Sequence, residues 1–404
     1  MKAFLLLTTV FVAFAAKRFD GHQVLRIHPE HEGHLKKLVR LERFEQLVDF
    51  WKGPTCLSCP VDVRVPKNLL RKVKTLLEKT GMKYTVMVDD LQQSINMARS
   101  RHIRAVGFNF DDYNTYADID SQLTDFATSY PSLASVFTIG TTYEGYYIRA
   151  IKVGSAGGNK PAVLLEGQLH ARDWIVSATL MYNIKFLLEG YGNDSQITSL
   201  MDQVDFYFIP VTNVDGYVFT HTEDRMWKKT RSVRGLCFGV DANRNWDVHF
   251  GSSPSDDPCS DIYHGPVAFS EPETKAVRDL VMENSDNLKA YLSVHASGQT
   301  WMTPHGWTFN SAPDYEEQDD LAGRAVSAIY SVNGISFMHG TIANINGLVG
   351  GSSCDWAYTV AGIKYSYAIQ LRDGFVLPAD QIRPSADEFF AGLLVVAEQV
   401  AAEY

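Results

Sequence analysis

The sequence predicts an α/β protein: a small α/β unit followed by a large domain built on a central, mixed but mostly parallel sheet with helices on both faces. Three observations predict it. From residue 105 to the C-terminus, strand-like apolar runs alternate with helical patterns, as in a sheet covered on both sides. Residues 17–104 carry shorter patterns of the same two kinds. A chain of 404 residues, 45% hydrophobic and 21% charged, can bury a sizeable core.

The elements follow in order. Lys2, an apolar run over 3–14 and the small-x-small pattern Ala13-Phe14-Ala15 read as an export leader over 1–16. The run is shorter than the ~20 residues a membrane span needs. No other stretch is long enough, so a secreted, soluble, monomeric protein without membrane partners is expected. Val24-Leu25-Arg26-Ile27, Val61-Asp62-Val63-Arg64-Val65 and Thr85-Val86-Met87-Val88 read as three strands. Helical spacing over 34–49 and 66–80 supplies two helices to cover one face, making a small open sandwich. Lys36 to Arg43 is moderately basic but interrupted by Glu42, which fits a solvated helix face. Arg99, Arg101 and Arg104 crowd the junction and invite a trypsin-like protease. Beyond it, 161–165, 206–211, 290–294 and 363–371 are predicted central strands, and 174–188, 271–283 and 319–332 predicted helices. A net charge of -10 argues against a nucleic-acid partner.

Five cysteines fit an oxidising compartment. Cys56 and Cys59 lie in a Pro/Gly-rich loop, as a local disulfide or as two free thiols. Cys237 and Cys259 close a loop of modest size, and Cys354 is left over as a small hydrophobe. Asn193-Asp194-Ser195 is a glycosylation sequon beside Gly190 and Gly192.

The chemistry gathers after the first central strand, in Gln168-Leu169-His170-Ala171-Arg172-Asp173-Trp174. His170 and Asp173 can point at one ion across a helix start. His295 ends a later strand, in Ser293-Val294-His295-Ala296-Ser297. Ligands in such sheets sit beyond the C-terminal strand ends. Two histidines and a carboxylate are the usual set for an open catalytic zinc site.

With these motifs in view, the sequence resembles the pancreatic-type zinc metallocarboxypeptidases. Gln23-Val24-Leu25-Arg26-Ile27, Phe50-Trp51 and Val61 through Pro66 resemble the family's prosegment. Tyr143-Glu144-Gly145, Asn213-Val214-Asp215-Gly216-Tyr217 and Gly239-Val240-Asp241-Ala242-Asn243-Arg244-Asn245-Trp246 resemble its catalytic domain. The resemblance implies the zinc carboxypeptidase fold, a prosegment over 17–104 and a carboxypeptidase-like domain over 105–404. It implies one Zn2+ held by His170, Asp173 and His295, with Asp241 orienting a zinc histidine. Asn243 and Arg244 match the clamp for a peptide's C-terminal carboxylate, which suits a guanidinium fork. Arg172 matches an auxiliary substrate arginine. It also implies a Cys237–Cys259 disulfide and activation by cleavage near Arg101 and Arg104.

Four positions depart from the family pattern. Asp173 stands where the family has the longer glutamate ligand. Gln370 stands where a glutamate takes a proton from the attacking water and delivers it to the leaving amine; an amide cannot. Asp373, three residues on, is expected on the opposite strand face. Lys228 replaces an arginine on the oxyanion side, keeping charge but losing the planar fork. Gly347 falls where a mobile tyrosine closes over substrate, and the chain is shorter at 373–374. Cys354 and Ala368, small and uncharged at the specificity pocket, favour apolar or aromatic C-terminal residues. The expectation is a protein that binds peptide C-termini with hydrolysis lost or strongly impaired; the alternative is a slow zinc carboxypeptidase.

Overall fold

The computed structural model describes residues 16–44, 47–57, 59–99, 107–252 and 255–404. The leader pattern around 13–15 and the junction residues Arg101 and Arg104 lie outside them.

The N-terminal unit is a four-stranded antiparallel sheet. Its elements are β1 (Gln23–His28), α1 (Glu32–Phe44), β2 (Asp49–Lys52), β3 (Val61–Val65), α2 (Leu70–Lys79), β4 (Lys83–Val88) and α3 (Leu91–Arg99). The strand order is β2-β3-β1-β4. Leu25, Ile27, Val61, Val63 and Val65 meet Leu38, Val73 and Leu77 of the two helices in a core of their own. Lys36, Lys37 and Arg40 are exposed, so the basic stretch is a solvated face.

Two expectations need correction. Helical spacing over 34–49 ran through a boundary: α1 stops at Phe44, and Asp49 opens a fourth strand against β3. The bulky Phe50 and Trp51 suit a pleated surface better than a helix end. The helix α3 went unpredicted; Leu91, Ile95 and Ala98 bury its one apolar side in the larger core.

The large domain begins with α4 (Tyr116–Ser129), β5 (Ala134–Thr141), β6 (Tyr147–Val153), β7 (Ala162–Gly167), α5 (Trp174–Gly190), α6 (Ser195–Gln203), β8 (Asp205–Ile209) and α7 (Val214–Thr222). A short hairpin of β9 (Val233–Arg234) and β10 (Cys237–Phe238) follows, then α8 (Pro272–Glu283), β11 (Leu288–His295) and β12 (Thr300–Thr303). The chain ends with α9 (Tyr315–Asn333), β13 (Met338–Thr341), α10 (Ile342–Asn346), α11 (Ser353–Thr359), β14 (Tyr365–Gln370) and α12 (Ile382–Glu403). The eight-stranded sheet runs β13-β12-β14-β11-β7-β8-β6-β5. Its middle four strands, β14, β11, β7 and β8, are mutually parallel, and antiparallel pairs flank them. These four are the central strands the sequence predicts. They are almost wholly buried, as parallel strands covered on both faces must be. Helices α5, α9 and α12 pack together over the sheet, while α8 packs on β5 and α11 on β11 and β14. Among the described residues, no helix is long and apolar enough to cross a membrane.

Candidate active site

The parallel register places the chemistry. β7 ends at Gly167, and the chain turns through Gln168, whose φ of 56° is left-handed, to present His170 and Asp173 at the start of α5. β11 ends on His295 and β14 on Gln370, paired directly across the two strands. All three groups therefore emerge at the C-terminal edge of the sheet.

His170, Asp173 and His295 offer ligand atoms that all lie within 4.8 Å of one another. Each is otherwise held in place. His170 Nε2 lies 3.0 Å from Asp241 Oδ1, and Asp173 Oδ2 accepts from Ala296 N at 3.0 Å. His295 Nε2 lies 3.0 Å from Ser293 Oγ. That leaves Asp173 Oδ1 and His295 Nδ1 buried without a hydrogen-bond partner. Buried polar atoms are seldom left so, and two of them on residues of one ligand cluster fit a metal ion there. Burial, reinforced by Lys228, lowers His170 to about 4, and burial takes His295 well below its ordinary value. Both imidazoles are therefore neutral, the form that binds metal. Burial pushes Asp173 up to about 7, which a bound cation would reverse.

Asp241 links two site residues. Its Oδ2 takes Lys228 Nζ at 2.7 Å, and its Oδ1 takes Asn243 N at 3.1 Å. Burial would raise this carboxyl, but Lys228, His170 and Arg244 hold it well below the carboxylate range. Lys228, expected on the oxyanion side, is thus engaged with the carboxylate behind His170. Asn243 Oδ1 accepts from Ser353 N at 2.9 Å, and Arg244 Nη1 donates to Asn243 O at 2.7 Å. Cys354 is a free buried thiol packed with Met302, Ile342 and Ala368, a small apolar cluster apart from the main core. Gln370 Oε1 accepts from Thr300 Oγ1 at 3.1 Å. The amide sits against Gly298, where a Cβ would stand 2.1 Å from Oε1. Glycine is the residue that leaves this room.

The prosegment reaches the same cleft. Asp49 accepts from Arg172 Nη1 at 2.9 Å and from Arg64 Nε at 3.1 Å. Burial alone would raise Asp49, but the two arginines outweigh it and keep it charged. Trp51 packs edge-on against Phe375 at 5.1 Å, and the Arg172 guanidinium lies 4.3 Å over the same ring. Thr55 Oγ1 donates to Ile345 O at 3.2 Å, and its methyl lies where a side chain at Gly347 would go. Strand alternation does not extend to Asp373, because β14 ends at Gln370. Asp373 instead meets Arg26 of the prosegment at 2.8 Å. Sequence reasoning missed Asp49, Arg26, Thr300 and Glu166. Cys237–Cys259 and Cys56–Cys59 are both disulfides, resolving the open choice for the second pair.

This architecture defines a two-part protein in which a small sandwich reaches a His–Asp–His cluster at the edge of a mixed sheet, and comparison with known proteins gives it a family. Residues 119–392 match the zinc carboxypeptidase family and residues 25–98 the carboxypeptidase activation peptide. The chain belongs to the zinc carboxypeptidases. It is 40% identical to bovine carboxypeptidase A1 over 414 residues, covering 98% of each chain. It is 39% identical to rat carboxypeptidase A2 over 401 residues, covering 96% of this chain and 95% of the relative. Among solved structures, thrombin-activatable fibrinolysis inhibitor superposes with a TM-score of 0.88 at 30% identity, covering 96% of this chain and 100% of that one. Carboxypeptidase A from Helicoverpa armigera gives 0.87 at 26% identity, covering 95% and 98%.

Proposed function

We propose that this protein is a secreted binder of peptide C-termini in which the family's hydrolysis is lost or strongly impaired. The observation that carries the reading is Gln370. It stands in register with His295, and its amide oxygen is occupied by Thr300. The other carboxylates of the region are engaged in this structure: Asp173 in the ligand cluster, Asp241 with His170 and Lys228, and Asp373 with Arg26. An amide can hold a water but cannot shuttle its proton.

The metal would be held by His170, Asp173 and His295. When bound, zinc polarises a carbonyl and acidifies a water. The chain's own residues do the rest. Arg244 and the amide Nδ2 of Asn243 would orient a terminal carboxylate, with Asn243 Oδ1 held by Ser353 N. The apolar cluster of Met302, Ile342, Cys354 and Ala368 would take an apolar or aromatic side chain. Arg172 would become available when Asp49 leaves, after trypsin-like cleavage at Arg101 or Arg104. The leader pattern, the two disulfides and the exposed Asn193 sequon support secretion.

The test treats the full chain with trypsin and follows release of C-terminal Phe or Leu, together with calorimetric binding of the same peptides. Binding without release above background is expected. Substantial turnover abolished by a chelator would establish the second reading, a slow zinc carboxypeptidase, which the complete ligand cluster favours.

A further inference from the structure

Two histidines complete the ligand cluster, and each must keep its Nδ1 lone pair free. For His170 the device is direct: Nε2 faces the acceptor carboxylate of Asp241. Among the described residues no carboxylate is hydrogen-bonded to His295, and its Nε2 lies between the Asn243 amide and the Ser293 hydroxyl. Asn243 Nδ2, 3.2 Å away, can only donate, because Asn243 Oδ1 is the atom that accepts from Ser353 N. A donor there favours the proton on Nδ1, the tautomer that cannot bind metal. The Ser293 hydroxyl, 3.0 Å away, can either donate or accept. Its direction decides the tautomer.

The surrounding network sets that direction. Ser293 Oγ has one proton and three partners: His295 Nε2, Ser353 Oγ at 2.9 Å and Glu166 Oε2 at 3.2 Å. Glu166 lies on β7, in register with Ser293 on β11, and its Oε2 also takes the Tyr291 hydroxyl. Glu166, Tyr291, Ser293 and Ser353 are completely buried, so water offers no alternative acceptor. An ionised carboxylate only accepts. Ser293 therefore gives its proton to Glu166, leaving its lone pairs to receive Ser353 O–H and His295 Nε2–H.

We propose that Glu166, acting through Ser293, is a positioning residue that holds His295 in the tautomer whose Nδ1 can bind the metal. It does for His295 through one hydroxyl what Asp241 does for His170 directly. The proposal rests on His170, Asp173 and His295 being the metal ligands. Its significance is that the carboxylate is carried on the neighbouring strand, out of reach of substrate, so it can tune the metal without touching the reaction.

The experiment uses the metal-free full chain at pH 8, above the value of about 7 to which burial raises Glu166. Long-range proton–nitrogen NMR of labelled histidines reads each tautomer, and competition with a chromophoric chelator reads zinc affinity. Glu166→Leu combined with Tyr291→Phe removes the acceptor and its other donor together, so no buried hydroxyl is stranded. His295 should move to the Nδ1–H tautomer, zinc affinity should fall about 10–100-fold, and His170 should not change. Ser293→Ala, a smaller perturbation should the double variant not fold, should give the same shift. Ser353→Ala leaves the acceptor in place and should keep the wild-type tautomer. Glu166→Gln, which can still present an oxygen at Oε2, should largely do so too. Retention of the Nε2–H tautomer in both the double variant and Ser293→Ala would overturn the proposal. So would a shift in Ser353→Ala equal to that in Ser293→Ala. The tautomer is read without metal, so a wild-type chain that binds no zinc would remove the metal reading and still test the network.

Discussion

Replacing Gln370 with glutamate puts the proposed cause of silence to a direct test. The substitution changes one amide nitrogen for an oxygen and leaves the side-chain volume unchanged. The surroundings already suit a carboxylate: Thr300 Oγ1 donates to Oε1 and would donate equally to a carboxylate oxygen, and Gly298 keeps the necessary room. A positioned general base contributes about 10²–10⁴-fold, or about 2.7–5.4 kcal/mol of transition-state stabilisation. The expected gain lies toward the lower end, because Asp173 reaches less far than glutamate and no tyrosine stands at position 347.

The assay is hydrolysis of a blocked dipeptide ending in Phe, after trypsin treatment and removal of the prosegment, with zinc content measured on the same sample. Gln370→Glu should raise kcat/KM at least about a hundredfold over a wild type indistinguishable from its chelator-treated control. KM should change little, because the clamp and pocket are untouched. Chelator-sensitive wild-type turnover within about tenfold of the variant would refute the reasoning. An inert variant with a full complement of zinc would move the main defect to the rim, at Gly347 and the short 373–374 turn. Asp173→Glu added to Gln370→Glu should then separate ligand reach from rim loss.

Other expectations concern the metal, the prosegment and pH. Purified protein should carry one zinc per chain by elemental analysis, and His295→Ala or Asp173→Ala should lose it. Asp49→Asn removes the hydrogen-bonded counter-charge of buried Arg172, leaving only the more distant Asp261 and Asp173, which costs about 3 kcal/mol; trypsin-cut protein should release its prosegment roughly a hundredfold more readily in size-exclusion experiments. The Asp49 carboxyl is depressed in the fold, so its contribution is present above its unfolded value of about 3.9. That contribution is lost as pH falls further, and release should accelerate there more steeply in the wild type than in Asp49→Asn. Glu273, its carboxylate buried, is raised by burial to about 8. A raised carboxyl binds more protons folded than unfolded, so it opposes folding increasingly as pH rises toward 8. Metal-free protein should lose thermal stability between pH 6.5 and 8, above the histidine range, and Glu273→Gln should flatten that slope.

The four parallel strands were legible because their burial leaves near-continuous apolar runs that polar turns interrupt. The ligand cluster was legible because His295 ends a strand and His170 and Asp173 lie in the turn between β7 and α5, where periodicity breaks and polar residues gather. Asp49 was not legible. Helical spacing through Leu41, Phe44 and Leu47 carried past the true end of α1, and nothing in the local pattern marks a strand that forms only by pairing with β3. The role of Lys228 was visible only in part, since its charge was evident but its partner Asp241 depends on how two loops meet. Asp373 failed for a simpler reason: alternation is a property of a strand, and the strand had ended.

Gln370 is the position where sequence and structure together say more than either alone. Read from the chain, it is a missing carboxylate. In the fold its amide oxygen accepts from the Thr300 hydroxyl, and its bulk is accommodated by Gly298. A residue stranded by the loss of function around it would leave a buried polar group unpaired, at a cost of about 1–3 kcal/mol. Here the hydrogen bond is made. The ligand cluster beside it is equally well built, with Asp241 supporting one histidine and the Ser293–Glu166 pair supporting the other. A cleft that had merely decayed would be expected to lose these outer partners first, because no substrate contact holds them. Their presence leaves Asp173, Gln370, Lys228 and Gly347 as the places where activity would be lost, and Gln370→Glu is the substitution that tests the proton-transfer step among them.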